Sequence, residues 1–371
     1  PKNGKSIGII GAGPSGLTCG YYLARLGYDV HVYEAQPVAG GVLAFGIPEY
    51  RLPKDVLAHE IKLIEQVGVN IHLNTEVGKD ITFDELRNKH QSIYIATGTQ
   101  LSNKVNIPGE DLNGVVHGLD FLRNVNLGRE VQVGETVAVI GGGNTAIDAA
   151  RTALRLGAKK VIVLYRRMIE DMPADAREIH DALEEGIEII PLVAPVRFLG
   201  KDKVQGIECL RMELGGFDSS GRRRPKSIEG SNFIVEADMV IPAVSQYSDL
   251  PFVKKEEVEM TEWGTFVTDK DTLMTTMEGI FAGGDVARGS DVVITAIADG
   301  KKAAVSIDIY LGGKGELNKG QAIDIPVRAD EDEQVEHKRF PMAILEPSVR
   351  KDNFREVVQG YHKLNAIAES M

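Results

Sequence analysis

The sequence predicts an α/β protein of two parallel-sheet domains of the three-layer ββα type, with the second domain inserted in the first. Three observations predict it. Two segments repeat one order of strand, glycine turn, helix and strand; alternating strand patterns follow the second copy; a further strand and helix come after them. The 371 residues suffice for two or three domains with real cores. Apolar residues at 43% and charged residues at 26% are the proportions of an ordinary water-soluble globular chain.

The first copy opens with Ile7-Gly8-Ile9-Ile10, a short apolar run that reads as a buried parallel strand. The turn Gly11-Ala12-Gly13-Pro14-Ser15-Gly16 follows, then a helix to about Leu26 with Gly27 as its cap, then the strand Val30–Glu34. The second copy runs Val137–Ile140, Gly141-Gly142-Gly143-Asn144-Thr145-Ala146, a helix to about Leu156 closed by Gly157, and Val161–Tyr165. Residues from about 185 to 275 alternate, as in Gly206–Met212 and Phe233–Glu236, and suit a small sheet completing the second domain. From Gly279, Ile280-Phe281-Ala282-Gly283-Gly284-Asp285 reads as a strand returning to the first domain, and Thr295 to about Leu311 as a helix. Gly312–Arg350 is rich in charge and proline and reads as a surface strap, and Phe354–Met371 as helical. The expected division is 1–125 and 276–312 for the first domain, 126–275 for the second, and 313–371 for a strap and helix. From the start at Pro1 and the stop in mid-pattern, a piece of a longer polypeptide is the expectation.

Charge and cysteine narrow the function. A net charge of -12 argues against nucleic acid or an anionic membrane as the main partner. The run Arg222-Arg223-Arg224 beside Ser219 and Ser220 reads as a solvated hairpin turn. No apolar run approaches the roughly 20 residues of a membrane span, and no signal-peptide pattern opens the chain, so the expected location is cytoplasmic. Cys19 and Cys209 form no CxxC pair, which excludes a dithiol centre of the thioredoxin-reductase kind. Two cysteines are also too few for an iron–sulfur cluster, and both read as buried packing residues. The eight histidines are scattered, with no zinc spacing, and read as ordinary surface or core residues. HExxH and GxSxG are absent, and Lys314 lacks the Ser or Thr of a Walker P-loop.

The glycine turns carry the chemistry. Gly11 permits the tight turn, Gly13 lets a pyrophosphate approach the backbone, and Gly16 packs helix on strand; the phosphates then sit at a helix N-terminus. Glu34, 23 residues after Gly11, ends the second strand where a carboxylate accepts hydrogen bonds from a ribose diol. Gly141, Gly143 and Ala146 repeat the device, but Tyr165-Arg166-Arg167 replaces the acid. Guanidinium groups there suit a 2′-phosphate, so the second Rossmann-like site is expected to select NADP. Hydride transfer from nicotinamide to a flavin needs the rings held together and the flavin N1–O2 edge stabilised as it gains electrons; the helix start Val293-Ile294-Thr295 is a candidate for that edge, and Asp285 a candidate to bond the ribityl or ribose chain.

These stretches resemble the flavoprotein part of the glutamate synthase small subunit, with the NADP-binding subunit of bifurcating transhydrogenases and the flavin region of dihydropyrimidine dehydrogenase. The matching residues are Gly11–Leu17, Gly40–Pro53, Ala96-Thr97-Gly98, Gly141–Asp148, Tyr165-Arg166-Arg167 and Phe281–Val286, nearly end to end. The resemblance implies FAD along Gly11, Gly13, Pro14, Ser15 and Gly16, Glu34, Gly41 and Val42, with Arg51, Val77, Ala96, Thr97, Gly98, Gly284 and Asp285 at flavin-contact positions. It implies NADPH on Gly143, Asn144, Thr145, Arg166 and Arg167, with the Ala243-Val244-Ser245 loop near the nicotinamide; many relatives have Gly where Ser245 stands. It also implies electron delivery to an iron–sulfur protein, a ferredoxin or a larger catalytic subunit. The relatives' cysteine-rich iron–sulfur domain is absent here. Two alternatives stay open at this point: a subunit that reduces NADP+ within a bifurcating or hydrogenase-type complex, and a nucleotide-binding scaffold without turnover.

Overall fold

A computed structural model describes residues 2–217, 221–254, 256–317 and 339–370. The chain opens with β1 (Ser6–Ile10), α1 (Pro14–Arg25), β2 (Asp29–Tyr33), α2 (Val42–Phe45), α3 (Lys54–Gln66), β3 (Val69–His72), α4 (Phe83–Lys89) and β4 (Ser92–Ile95). Strand β5 (Leu101–Ser102) and helix α5 (Gly118–Asn126) lead to β6 (Thr136–Ile140), α6 (Asn144–Arg155), β7 (Lys160–Tyr165), α7 (Ala176–Glu184) and β8 (Glu188–Pro191). Then come β9 (Val193–Gly200), β10 (Val204–Phe217), β11 (Arg223–Ser227), β12 (Phe233–Glu236), β13 (Met239–Pro242) and β14 (Gln246–Tyr247). The chain closes with β15 (Ile280–Ala282), α8 (Asp285–Arg288), α9 (Val293–Tyr310), α10 (Pro347–Arg350) and α11 (Lys363–Ser370).

Two parallel sheets form the cores, in the orders β15-β4-β1-β2-β3 and β13-β6-β7-β8. Successive side chains on a strand point to opposite faces, so each sheet sorts its residues into two layers. In the second sheet Val137, Val139, Val161 and Val163 meet the Ala-rich face of α6. Ala138, Ile140, Ile162 and Leu164 face the other way, onto Val193, Phe198, Ile207 and Cys209 of the antiparallel strands. Helix, parallel sheet and antiparallel sheet thus make three layers. In the first sheet Ile7, Ile9, Val30 and Val32 pack beneath α1 and α9, while Ile10, Ile93 and Ile95 meet Phe83, Val258 and Phe266. Cys19 and Cys209 are both buried and free, as their sequence context predicts, and burial pushes both thiols up. Among the described residues no helix is long and apolar enough to cross a membrane.

The two crossings between the domains lie side by side: β5 pairs antiparallel with β14 through Ser102–Gln246 and Leu101–Tyr247. The crossings therefore sit near residues 101 and 247, not at the expected 125 and 275. Ile107, Leu112 and Val115 already pack in the second domain, and Leu250, Phe252 and Val258 are back in the first. Short polar stretches on both sides hid the change of partner from periodicity.

The C-terminal region also differs. Residues 318–338 of the expected strap, and Ser219 and Ser220 of the expected arginine turn, lie outside the described residues. The expected helix from Phe354 is confined to α11; before it the chain is irregular, with Val357 N–H donating to the Tyr50 carbonyl at 2.9 Å. Arg350 is buried and donates from Nε to Glu185 at 3.0 Å and from Nη2 to Glu184 at 2.9 Å. Arg151 and Arg155 also bind Glu185. Burial alone would raise this carboxyl's pKa, but the arginines draw it down to about 2.

The histidines are less scattered than the sequence suggests. His31, His72 and His90 gather on the face of the first sheet away from α1. His31 Nδ1 lies 2.9 Å from His72 Nε2, and His90 bonds Ser6 at 2.7 Å and Tyr33 at 3.0 Å.

Candidate functional site

A cleft of about 430 Å³ opens at the carboxyl ends of the first sheet's strands, where open α/β sheets bind ligands. After β1 come Gly11, Gly13, Pro14 and Ser15; after β2, Glu34; after β4, Ala96, Thr97 and Gly98; after β15, Gly284 and Asp285. Gly41, Val42, Val77 and Val293 complete the predicted residues on its wall. Gly16 lies behind the wall: a β-carbon there would stand 2.0 Å from the Gly11 carbonyl oxygen, so this position closes helix on strand.

The local geometry follows from backbone demands. Gly11 takes φ +102°, a region L side chains avoid, and a β-carbon would sit 2.5 Å from the Ala96 oxygen. Gly13 has nothing nearer than the Gly41 Cα at 4.0 Å, so its open side faces the cleft. Gly13 caps α1 without a side-chain hydrogen bond, and Pro14 takes the first turn, where a missing N–H is harmless. That leaves the helix N-terminus to a phosphate.

Polar groups converge on the cleft. Glu34 Oε2 accepts from Ala12 N–H and Oε1 from Gln36 N–H, both at 2.8 Å. Each oxygen keeps a lone pair for a ribose hydroxyl. Burial pushes the Glu34 pKa up, opposed by those backbone bonds. Burial likewise pushes Asp285 to about 6, against a backbone bond from Asp291 and the Thr99 hydroxyl. Two cleft atoms, Thr97 Oγ1 and Arg123 Nε, are buried without a protein partner. A cleft that holds orphaned polar atoms and an uncapped helix terminus fits a polar, phosphate-bearing ligand.

Two predicted flavin contacts lie off the wall. Arg51 Nη1 donates to both Asp148 oxygens at 2.8 Å and Nε lies 3.0 Å from Glu178. This guanidinium is turned to α6 and α7 and ties the domains together. Thr295 turns its hydroxyl back to the Val292 carbonyl at 2.6 Å, while Val292, Val293 and Ala296 present the start of α9 to the cleft.

The second turn repeats the device. Gly141 takes φ +146° with the Ala243 oxygen 2.2 Å from a would-be β-carbon, and Gly143 has nothing within 4 Å. Gly143 caps α6 without a side-chain bond. Asn144 accepts from Asp175 N–H at 3.0 Å, and Thr145 accepts from Gln246 at 3.2 Å. The arginines part company: Arg166 is exposed, whereas Arg167 is buried and donates from Nε to the Arg223 carbonyl at 2.9 Å. Ser245 is exposed and its oxygens accept from Asn103.

The two turns are linked. Thr145 meets Gln246, Gln246 accepts from Ser290 at 3.4 Å, and Ser290 meets Thr99 at 3.0 Å beside the first cleft. Gln100, Leu101, Arg123, Pro251 and Phe252 also line the cleft wall. They lie in no motif; only the position of Gln100 just after Ala96-Thr97-Gly98 pointed to it.

The comparisons with known proteins agree with this geometry. A model of the pyridine nucleotide-disulphide oxidoreductases matches residues 5–300. The beta subunit of an NADP(+)-dependent formate dehydrogenase from Moorella thermoacetica is 48% identical over 83% of this chain, which spans 44% of that protein. The small chain of a glutamate synthase [NADPH] from Azospirillum brasilense is 43% identical over 84% of the chain and 68% of its own length. In fold, Mycobacterium tuberculosis FprA in complex with NADPH superposes at a TM-score of 0.71, with 20% identity, over 83% of this chain and 85% of its own. Two parallel sheets, each with a glycine turn after its first strand, and a family model that matches residues 5–300 place the chain in the pyridine nucleotide-disulphide oxidoreductase family.

Proposed function

We propose that this oxidoreductase is an electron-input module: it takes a hydride from NADPH at the second turn and passes the electrons, through FAD in the first cleft, to an iron–sulfur or ferredoxin-type acceptor on another protein. The observation that supports the reading is the link from Thr145 of the second turn through Gln246 and Ser290 to Thr99 beside the first cleft. The flavin supplies the ability to accept two electrons from a nicotinamide and release them singly.

The chain's own residues do the positioning. Gly13 and the start of α1 take one pyrophosphate, and Glu34 the adenosine ribose. Gly143 and the start of α6 take the other, and Arg166 the 2′-phosphate. Arg167 positions Arg166 by holding the strand end to the Arg223 carbonyl. Cys19 and Cys209 are buried and unpaired, so they make no dithiol relay with each other. The names of the Moorella and Azospirillum relatives, a beta subunit and a small chain, support a partner subunit.

The test removes Arg166. Arg166→Ala should weaken NADPH binding at least tenfold and leave NADH binding within a factor of two, both measured by titration of the holoprotein. Equal losses for the two nucleotides would contradict the 2′-phosphate assignment. Reoxidation of the NADPH-reduced holoprotein by ferredoxin no faster than by dissolved oxygen would contradict the acceptor.

A further inference from the structure

Arg123 is a cation on the cleft wall that neither motif explains. It sits in the last turn of α5, a helix whose first residue, Gly118, packs against Thr145 of the second turn. Its side chain is only 16% exposed. The guanidinium lies over the Phe45 ring, 5.1 Å from the centroid, donates from Nη2 to the Gln100 carbonyl at 2.8 Å and pairs through Nη1 with Asp120 at 2.8 Å. Nε is buried with no protein partner. An Arg cannot shed its charge here, so a buried N–H is left to face whatever fills the cleft.

The position along the cleft says what that is. Glu34, Gln36, Thr75 and Val77 mark the adenosine end and Gly11 to Gly13 the pyrophosphate. Val42, Phe45, Ile47 and Leu101 on the same wall offer an apolar lining that suits a flavin ring, and Arg123 lies against Phe45 there. A flavin ring held there would take two electrons and one proton from NADPH and so gain one negative charge. A fixed cation in a low-dielectric wall favours the charged product over the neutral reactant.

We propose that Arg123 faces the flavin ring and raises the reduction potential of the bound FAD by stabilising the negative charge of its reduced form. This rests on the functional reading above. It makes Arg123 a positioning cation that tunes the cofactor, with Phe45 and Gln100 holding it flat and Asp120 partly offsetting its charge. Asp120 is about half exposed, so solvent weakens its offset of the Arg123 charge.

The experiment measures the two-electron midpoint potential of the FAD holoprotein by equilibrium dye titration, for wild type, Arg123→Gln, Arg123→Lys and Asp120→Asn. Arg123→Gln should shift the equilibrium towards oxidised flavin about tenfold, roughly 30 mV more negative for a two-electron couple. Arg123→Lys should recover most of that shift. Asp120→Asn, which strips the counter-charge, should move the potential the opposite way. A packing role would not give opposite signs. Unchanged potentials in Arg123→Gln, or shifts of one sign in both variants, overturn the proposal. If Arg123→Gln cannot hold FAD, the sign of the Asp120→Asn shift decides: positive supports the proposal, zero or negative overturns it. A wild-type protein that binds no flavin defeats the functional reading itself; a yellow wild type with an unmoved variant defeats only this inference.

Discussion

A β-carbon on Gly11 would stand 2.5 Å from the Ala96 carbonyl oxygen, whereas one on Gly143 would meet nothing within 4 Å. The first glycine answers to the fold, the second to the ligand. Gly143 also holds φ -89° and ψ 175°, extended backbone that any residue adopts. Gly143→Ala should therefore leave the melting temperature of the protein without nucleotide unchanged while weakening NADPH binding at least tenfold. A lowered melting temperature with normal NADPH affinity would contradict this division. The glycines were legible in the sequence because each serves a demand of its own local backbone. Arg51 and Arg167 were not. Their partners Asp148 and Arg223 stand 97 and 56 residues away, and no pattern near either arginine foretells them.

The strands show what periodicity can and cannot carry. Val137 to Ile140 read as buried strand from four apolar residues, and the sheet sorts them to two faces as the pleat requires. The partner across the sheet is invisible at that level, and so is the histidine cluster. His31 on β2, His72 on β3 and His90 after α4 meet only because these elements are neighbours. Burial, then the charges of His31 and Lys89, pushes His90 from 6.5 down to about 4, with Asp29 opposing and His72 adding. The folded state therefore holds His90 neutral. Its contribution to stability is complete above about pH 6.5 and is lost as the pH falls towards 4. In urea unfolding, stability should fall over that window more steeply for wild type than for His90→Gln. Equal slopes would contradict the assignment.

At the scale of the molecule, the insertion of one nucleotide-binding domain in another was legible from the repeated strand–turn–helix order, but its joints were not. The crossings at β5 and β14 are two residues each, paired with one another, and too short to carry a periodic signal. The C-terminal segment adds a third joint: Arg350 reaches Glu185 and Glu184 of the second domain, and Val357 reaches Tyr50 of the first. Together these joints hold the two turns in one orientation, and the account depends on that juxtaposition. Anaerobic titration of the purified protein with NADPH, followed through flavin absorbance, tests it most directly. The account predicts a yellow protein with one FAD per chain whose colour is bleached by about one equivalent of NADPH. A colourless protein that cannot be reconstituted with FAD, or a yellow one that NADPH leaves oxidised, would contradict it.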